Sequence, residues 1–482
     1  MRPNYSPSHR DRSKGPRLRI FILAFLFSLI GSTLAIMLYH AFKPDGLVAN
    51  LTAPKTITLK VPYVFVTTFD DATSDVSADA AIAKLASAEA DSSTDTTSTA
   101  DNSADAASTY QLVAVKDLTP EQKVLSIDGK YYLDYLDIPE TLPDNHIYNG
   151  ALIKEITLEA DSPEIDNYPE ITKNHILKIN QTGVTALTRA MQNKLNQVGD
   201  ATFFSEKIAD FLKDADLTHI SNEVSFADNC SNSANMRLCA DPRMYAVIEA
   251  IGTDIVELTG NHNNDWGTEN NTATINKYHE NGLQTFGGGL TEANAKEPLT
   301  ISEKGTNITW LGINHSTSSK ANGEGADGDQ PGANIYDAAD TKARIEAAKR
   351  SSDFVIVDIQ FAECYCYPDE GAEMPECDAP IAGQEEFFKE LVDAGADLVV
   401  GTQAHQPQTY ELYHGVPIYY GLGNLFFDQT YWPGTERSLV LTHYFYNGHL
   451  LQTKLTPTVY DSNYQTRLMT PTESQTFLKR LS

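Results

Sequence analysis

His262 and Asp265 stand three residues apart in the run Leu258-Thr259-Gly260-Asn261-His262-Asn263-Asn264-Asp265-Trp266-Gly267. An imidazole with a carboxylate at that spacing can move protons or bind a metal ion. Runs rich in Asn, Asp and Gly also serve as plain turns, so the pair gains meaning only from what surrounds it. Other polar clusters lie elsewhere in the chain: Asn222-Glu223, Gln360 with Glu363, Gln403 with His405, and Gly423-Asn424. Arg189 follows a short Gly-Val-Thr-Ala-Leu-Thr segment. Carboxylates, imidazoles, amides and a guanidinium are the groups needed to shuttle protons and orient a polar substrate.

These side chains converge only if the elements before them lie side by side. The spacing predicts strands over 175–181, 216–221, 254–257, 310–314, 353–359 and 397–400, each rich in β-branched or apolar residues. Helical patterns fall at 188–198, 243–251, 268–281, 338–350 and 384–394. A hairpin follows: Tyr410 to Tyr413, a His414-Gly415 turn, then Val416 to Tyr420. Strands alternating with helices predict a layered α/β core, and every polar cluster falls just after a predicted strand. In such folds the strand ends face a shared crevice. Tyr365, Tyr367, Tyr419, Tyr420, Phe426, Phe427, Tyr431 and Trp432 read mainly as core and rim packing.

Upstream, Arg2, Arg10, Arg12, Lys14, Arg17 and Arg19 form a basic tail over 1–19, followed by an apolar run over 20–41. That run is long enough for a membrane-spanning helix, and the charge asymmetry places the N-terminus in the cytoplasm and the main domain outside. No small-x-small site follows it, so an uncleaved anchor is preferred to a signal peptide. Residues 56–160 predict a small α/β region, interrupted over about 70–108 by an Asp-, Ser-, Ala- and Thr-rich insertion too polar to bury a core. Pro and Asp between Asp161 and Pro169 mark the boundary to the main domain at 170–460, and 461–482 reads as a C-terminal tail. The net charge of -29 excludes a typical nucleic-acid binder. Outside the cytoplasm the five cysteines predict a Cys230–Cys239 staple and one bridge among Cys364, Cys366 and Cys377.

The chain from about His175 to Asp428 resembles the CapA family of poly-γ-glutamate-type capsule-biosynthesis proteins. The likeness rests on Asn222-Glu223, on Asn261-His262-x-x-Asp265-Trp266-Gly267, on Phe286-Gly287-Gly288-Gly289 and on the 391–401 segment. His405 and Pro417 to Asp428 complete it. The resemblance implies a layered sandwich like that of the calcineurin-type metallophosphoesterases, preceded here by the membrane helix and the small α/β region. It also implies an envelope or capsule polymer as partner, with other capsule-synthesis membrane proteins. Three positions depart from the family pattern: Val184 stands where a metal-binding aspartate would be, and Gln360 and Gln403 where histidines would be. Glu363 falls one place early. Valine offers no ligand and glutamine a weak one, so the set holds at most one divalent metal, through His262, His405 and Asp265, or none. On the catalytic reading His262 and Asp265 do acid/base work, while Glu223, Glu363 and Arg189 orient a substrate. Asn222, Asn261, Gln360, Gln403 and Asn424 would complete its binding. A non-catalytic polymer-binding pocket and an assembly scaffold stay open.

Overall fold

The computed structural model describes residues 56–83, 110–231, 236–315, 323–364 and 377–482. The expected membrane span at 20–41, most of the acidic insertion, and Tyr365, Cys366 and Tyr367 lie outside these residues. Among the described residues no helix is long and apolar enough to cross a membrane. The chain divides into two compact units. The first is Met1–Leu59 with Ile156–Tyr168. Its described part holds the outer ends of two strands, where Thr58 and Thr157 hydroxyls meet at 3.3 Å, and a short 3-10 turn, Pro163–Asn167, capped by Ser162. The second unit, Lys60–Glu155 with Pro169–Ser482, carries everything that follows.

A small sheet is built from β1 (Thr56–Thr68), β2 (Gln111–Ala114), β3 (Gln122–Val124), β4 (His146–Tyr148) and β5 (Ala151–Glu159). Its order is β2-β1-β5-β4, with β3 also on β1. Val64, Val66, Tyr131 and Tyr132 share one buried cluster with Ile176, Tyr444 and Leu451, so residues 60–155 are packed into the main domain's core.

The main domain opens with four parallel strands, β6 (Ile176–Thr185), β7 (Leu217–Asn222), β8 (Ile255–Glu257) and β9 (Gln284–Phe286). A second sheet follows: β10 (Leu299–Glu303), β11 (Thr306–Asn314), β12 (Phe354–Gln360), β13 (Leu398–Thr402) and the hairpin β14 (Tyr410–Tyr413) with β15 (Val416–Tyr419). The chain then returns to the first sheet as β16 (Asn424–Phe426), β17 (Arg437–Tyr446), β18 (His449–Tyr460) and β19 (Thr466–Leu468). The sheet orders are β9-β8-β7-β6-β17-β18-β19, with β16 on β6, and β10-β11-β12-β13-β15-β14. Residues 461–482, read from sequence as a tail, carry β19 and the helix Pro471–Leu481, whose Phe477, Leu478 and Leu481 are buried.

Three apolar layers hold the sandwich together. Between the sheets lie Ile179, Ile255, Trp310, Ile356, Leu398 and Leu441. Outside the first sheet, α1 (Ala190–Val198), α2 (Tyr245–Ala250) and α3 (Thr268–Glu280) bury Met191, Leu195, Ile248 and Ile275 against Ile220 and Val256. Outside the second, α4 (Ala338–Ser351) and α5 (Gln384–Asp393) bury Ile345, Phe388 and Leu391 against Val355, Val357 and Val399. The split along β12, with Phe354 and Ile356 inward and Val355 and Val357 outward, is the two-residue period of a strand. Both faces being covered explains why this strand reads as a nearly continuous apolar run. Each such side chain contributes roughly 1.5–3 kcal/mol by leaving water. Among the described glycines the tightest approach is at Gly401, where a Cβ would lie 1.8 Å from the Tyr420 carbonyl oxygen. Among the described residues two disulfides are present, Cys230–Cys239 and Cys364–Cys377.

Candidate functional site

The loop from β8 into α3 carries Asn261, His262 and Asp265. Asn263 fixes its course, donating to the carbonyls of Gly260 (3.2 Å) and Asn222 (3.4 Å). Gly260 is needed there, since a Cβ would sit 2.7 Å from the Glu223 Cα. On this frame His262 Nδ1 meets Asp265 Oδ2 at 2.6 Å. The same carboxylate oxygen accepts the Leu238 N–H at 2.7 Å. Burial works against charging His262, but the Asp265 bond and the charges of Glu223, Asp265 and Glu363 overcome it and hold the imidazole above its ordinary pKa. With Nδ1 engaged by Asp265, Nε2 is the ring atom that can give a proton to another group.

Glu223 follows β7 and is 2% exposed. Among the described residues neither of its carboxylate oxygens meets a hydrogen-bond donor. Burial pushes its pKa up to about 7; the positive His262 and Arg189 pull it down, and Glu363 and Asp265 push it further up. His405, also buried, is driven down to about 3 by burial, with the positive His262 and Arg189 adding to the effect and the Asn424 bond opposing it. The Asn424 amide donates to Gln429 Oε1 (3.1 Å) and to the Thr435 carbonyl (3.1 Å), which leaves its oxygen to accept from His405 Nδ1 at 2.9 Å. That network assigns the proton to Nδ1 and makes Nε2 the acceptor nitrogen of a neutral ring. Electrostatic reach thus links Glu223, His262, Asp265, Glu363, Arg189 and His405 in one place.

A chain of side-chain amides lines the same region. Gln360 Nε2 donates to Asn261 Oδ1 (2.8 Å) and Gln403 Oε1 (2.6 Å), and its own oxygen accepts from Asn314 at 3.3 Å. Gln403 Nε2 in turn reaches the exposed Glu363 at 3.4 Å. Gln403 and Arg189 both adopt positive φ, 75° and 46°, a costly conformation for residues with a Cβ that concentrates at functional sites.

Several expected roles are altered by what the side chains touch. Arg189 is held by Asp428, with Nη2 at 2.5 Å and Nε at 3.0 Å from Oδ1, while the Ala190 N–H binds Oδ2 at 2.8 Å. Its charge reaches the cleft, but its donors face a partner within the chain. Asn222 is engaged with the Val224 carbonyl (2.9 Å) and Asn263 (3.3 Å), and Asn424 with His405, so both amides shape loops. Of the aromatics, Tyr419, Tyr420, Phe426 and Phe427 are buried, whereas Tyr431 is 64% exposed.

The donor set does not suit a two-ion centre. Val184 is buried and contributes only its backbone N–H, to the Gly423 carbonyl at 2.9 Å, and Gln360 and Gln403 bond each other. The single-ion set expected from His262, Asp265 and His405 is not assembled either. Among the described residues no three His, Cys, Asp or Glu side chains are placed to hold a metal. The physical reason is that Asp265 Oδ2 is turned to the back of His262 and to the Leu238 N–H.

Sequence reasoning missed Asp428, Asn263 and a buried polar cluster between the sheets. There Gln181 donates to Asp358 (2.8 Å), His219 Nε2 lies 3.0 Å from the other Asp358 oxygen, and His443 contacts Gln181 at 3.1 Å. Glu257 sits in reach of Asp358 and Glu223, and burial followed by those charges pushes its pKa up to about 8. A charge inside each of the apolar strands β8 and β12 was the available signal.

These features define a mixed α/β protein with an acid–imidazole cluster at the ends of its strands. The chain belongs to the bacterial capsule synthesis protein family PGA_cap, whose model matches residues 175–429. It is 26% identical over 285 residues to the capsule biosynthesis protein CapA of Bacillus anthracis, covering 57% of this chain and 66% of that protein. The PGA biosynthesis protein CapA of Bacillus subtilis is 23% identical over 294 residues, covering 60% and 72%. Among solved structures, the calcineurin-like phosphoesterase YfkN of Bacillus subtilis is similar at 14% identity and a TM-score of 0.32, covering 63% of this chain and 95% of that chain. A hypothetical protein from Thermus thermophilus matches at 14% identity and a TM-score of 0.34, covering 59% and 98%.

Proposed function

We propose that this chain is a membrane-anchored, extracytoplasmic protein of capsule or envelope-polymer synthesis, acting as a hydrolase or transferase on the amide bonds of a poly-γ-glutamate-type polymer. The biosynthetic roles named for the Bacillus relatives support the polymer class. The observation that carries the chemistry is the buried Glu223 carboxyl, unmet by any donor among the described residues and raised to about 7, beside an imidazole whose pKa Asp265 and the neighbouring carboxylates raise against the effect of burial. A carboxyl and an imidazole set side by side can divide the work of acid and base. Ionised Glu223 takes the proton from an attacking water or acceptor amine as it adds to the polymer carbonyl. Protonated His262 then gives its Nε2 proton to the departing nitrogen as the amide breaks. The Gln360–Gln403 amides with Glu363 bind polar backbone. No step passes through a metal.

The test is to incubate the purified full-length protein with poly-γ-glutamate and count new amine ends. Turnover that disappears in Glu223→Gln and in His262→Ala supports the reading. A second reading, binding without turnover, is favoured by the ligand losses at Val184, Gln360 and Gln403. Saturable retention of the polymer with no product would establish it and set the catalytic reading aside.

A further inference from the structure

The short segment Arg237-Leu238-Cys239 is the support on which Asp265 rests. Leu238 gives its N–H to Asp265 Oδ2 at 2.7 Å, and Arg237 gives Nε and Nη2 to the Asp265 carbonyl at 2.9 and 2.7 Å. Arg237 also stacks over Trp266, 5.2 Å from the ring centroid. What holds this segment is the bridge from Cys239 to Cys230. Around it the chain is tied to the cleft loops: the Ala227 N–H binds the Ala240 carbonyl (3.0 Å), Ser225 Oγ binds the Asn263 carbonyl (2.6 Å), and Thr188 Oγ1 binds the Cys239 carbonyl (2.6 Å). Leu238 and Cys239 are each 1% exposed, so the support is anchored in the core while its Leu238 N–H points at the carboxylate.

We infer that the Cys230–Cys239 disulfide is a positioning element for the His262–Asp265 pair, acting through the Leu238 N–H and not by touching substrate. The covalent bond between Cys230 and Cys239 adds to the hydrogen bonds that keep that N–H against Asp265. Asp265 in turn sets the tautomer and orientation of His262. The catalytic consequence rests on the acid/base reading above; the positioning itself does not.

The test compares full-length wild type, Cys230→Ser/Cys239→Ser, Asp265→Asn and the triple variant, each carrying ¹⁵N-labelled histidine. The expected result is that the His262 Nδ1–H resonance, shifted downfield by Asp265, is lost in the double-serine variant as it is in Asp265→Asn. Turnover of poly-γ-glutamate should fall about 10- to 100-fold in the double-serine variant. In the Asp265→Asn background, removing the bridge should add less than about twofold, because the two changes act through one contact. A resonance that persists without the bridge, or losses that multiply, overturns the inference. If the double-serine variant does not fold, the same resonance is followed in wild type as dithiothreitol is added. Its loss in step with alkylatable Cys230 and Cys239 thiols supports the inference, and its survival after reduction overturns it. If no protein turns the polymer over while the resonance behaves as expected, the catalytic reading fails and the positioning stands.

Discussion

Lifting the Glu223 carboxyl from its ordinary 4.5 to about 7 makes the folded chain bind a proton that the unfolded chain releases. The sign follows: between those two values the folded state holds more protons, so stability falls as pH rises through the window and stays low above it. The shift corresponds to a cost on the order of 3 kcal/mol at pH 8. Glu223→Gln should therefore raise the melting temperature at pH 8, leave it nearly unchanged at pH 4, and abolish turnover. A melting temperature at pH 8 that drops in the variant would mean Glu223 has a stabilising partner. Asp265→Asn is expected to keep the fold but cut turnover by about 10²-fold or more, since the orienting acceptor of His262 is lost. Side-by-side pH–rate profiles should then show the limb assigned to His262 moving to lower pH, because Asp265 is among the groups that raise it. His262 and Asp265 were legible in sequence because three residues of one turn carry both partners. Arg189 and Asp428 were not, being joined across 239 residues by a return of the chain to β6 that no local pattern announces.

At the scale of elements, strand ends deliver the chemistry and close backbone crossings keep those ends in register. Gly401 marks such a crossing. Its replacement by alanine places a methyl against the Tyr420 carbonyl and should cost about 3 kcal/mol or more in a denaturant melt. A cost below about 1 kcal/mol would mean that β13 and β15 can part freely. Most of the alternation through 175–400 was readable from helical periodicity and short apolar strand runs, while β9 and β10 carried too little of either to be expected. The β17–β18 hairpin was overlooked. Its strand Arg437–Tyr446 is buried along most of its length, so it lacks the alternation that marks a half-exposed strand. The polar cluster of His219, Asp358 and Gln181 was hidden for a related reason: a charged group in an apolar strand looks like noise until a second sheet supplies its partners. Both disulfides stand at places where loops carry site residues, Cys364 next to Glu363 and Cys239 next to Leu238. The sequence allowed the Cys230–Cys239 pair outright and the second only as one of three choices.

For the whole molecule, the proposed anchor and the altered donor set make two further predictions. Deleting residues 20–41 should move the protein from the membrane to the soluble fraction on fractionation of cells; a truncated protein that still pellets with membrane would rule the anchor out. Elemental analysis of the purified full-length chain should find less than one transition ion per molecule. Two tightly held ions would contradict the account of Val184, Gln360 and Gln403. The amide chain from Asn314 through Gln360 to Gln403 and Glu363 ties the fate of its members together. Removing the Gln403 side-chain amide takes an acceptor from Gln360, and removing the Gln360 amide takes a donor from Gln403. Each buried polar group left without its partner costs about 1–3 kcal/mol. Single substitutions inside this clasp thus break contacts of the residues left behind, so its members are expected to be exchanged together or kept together.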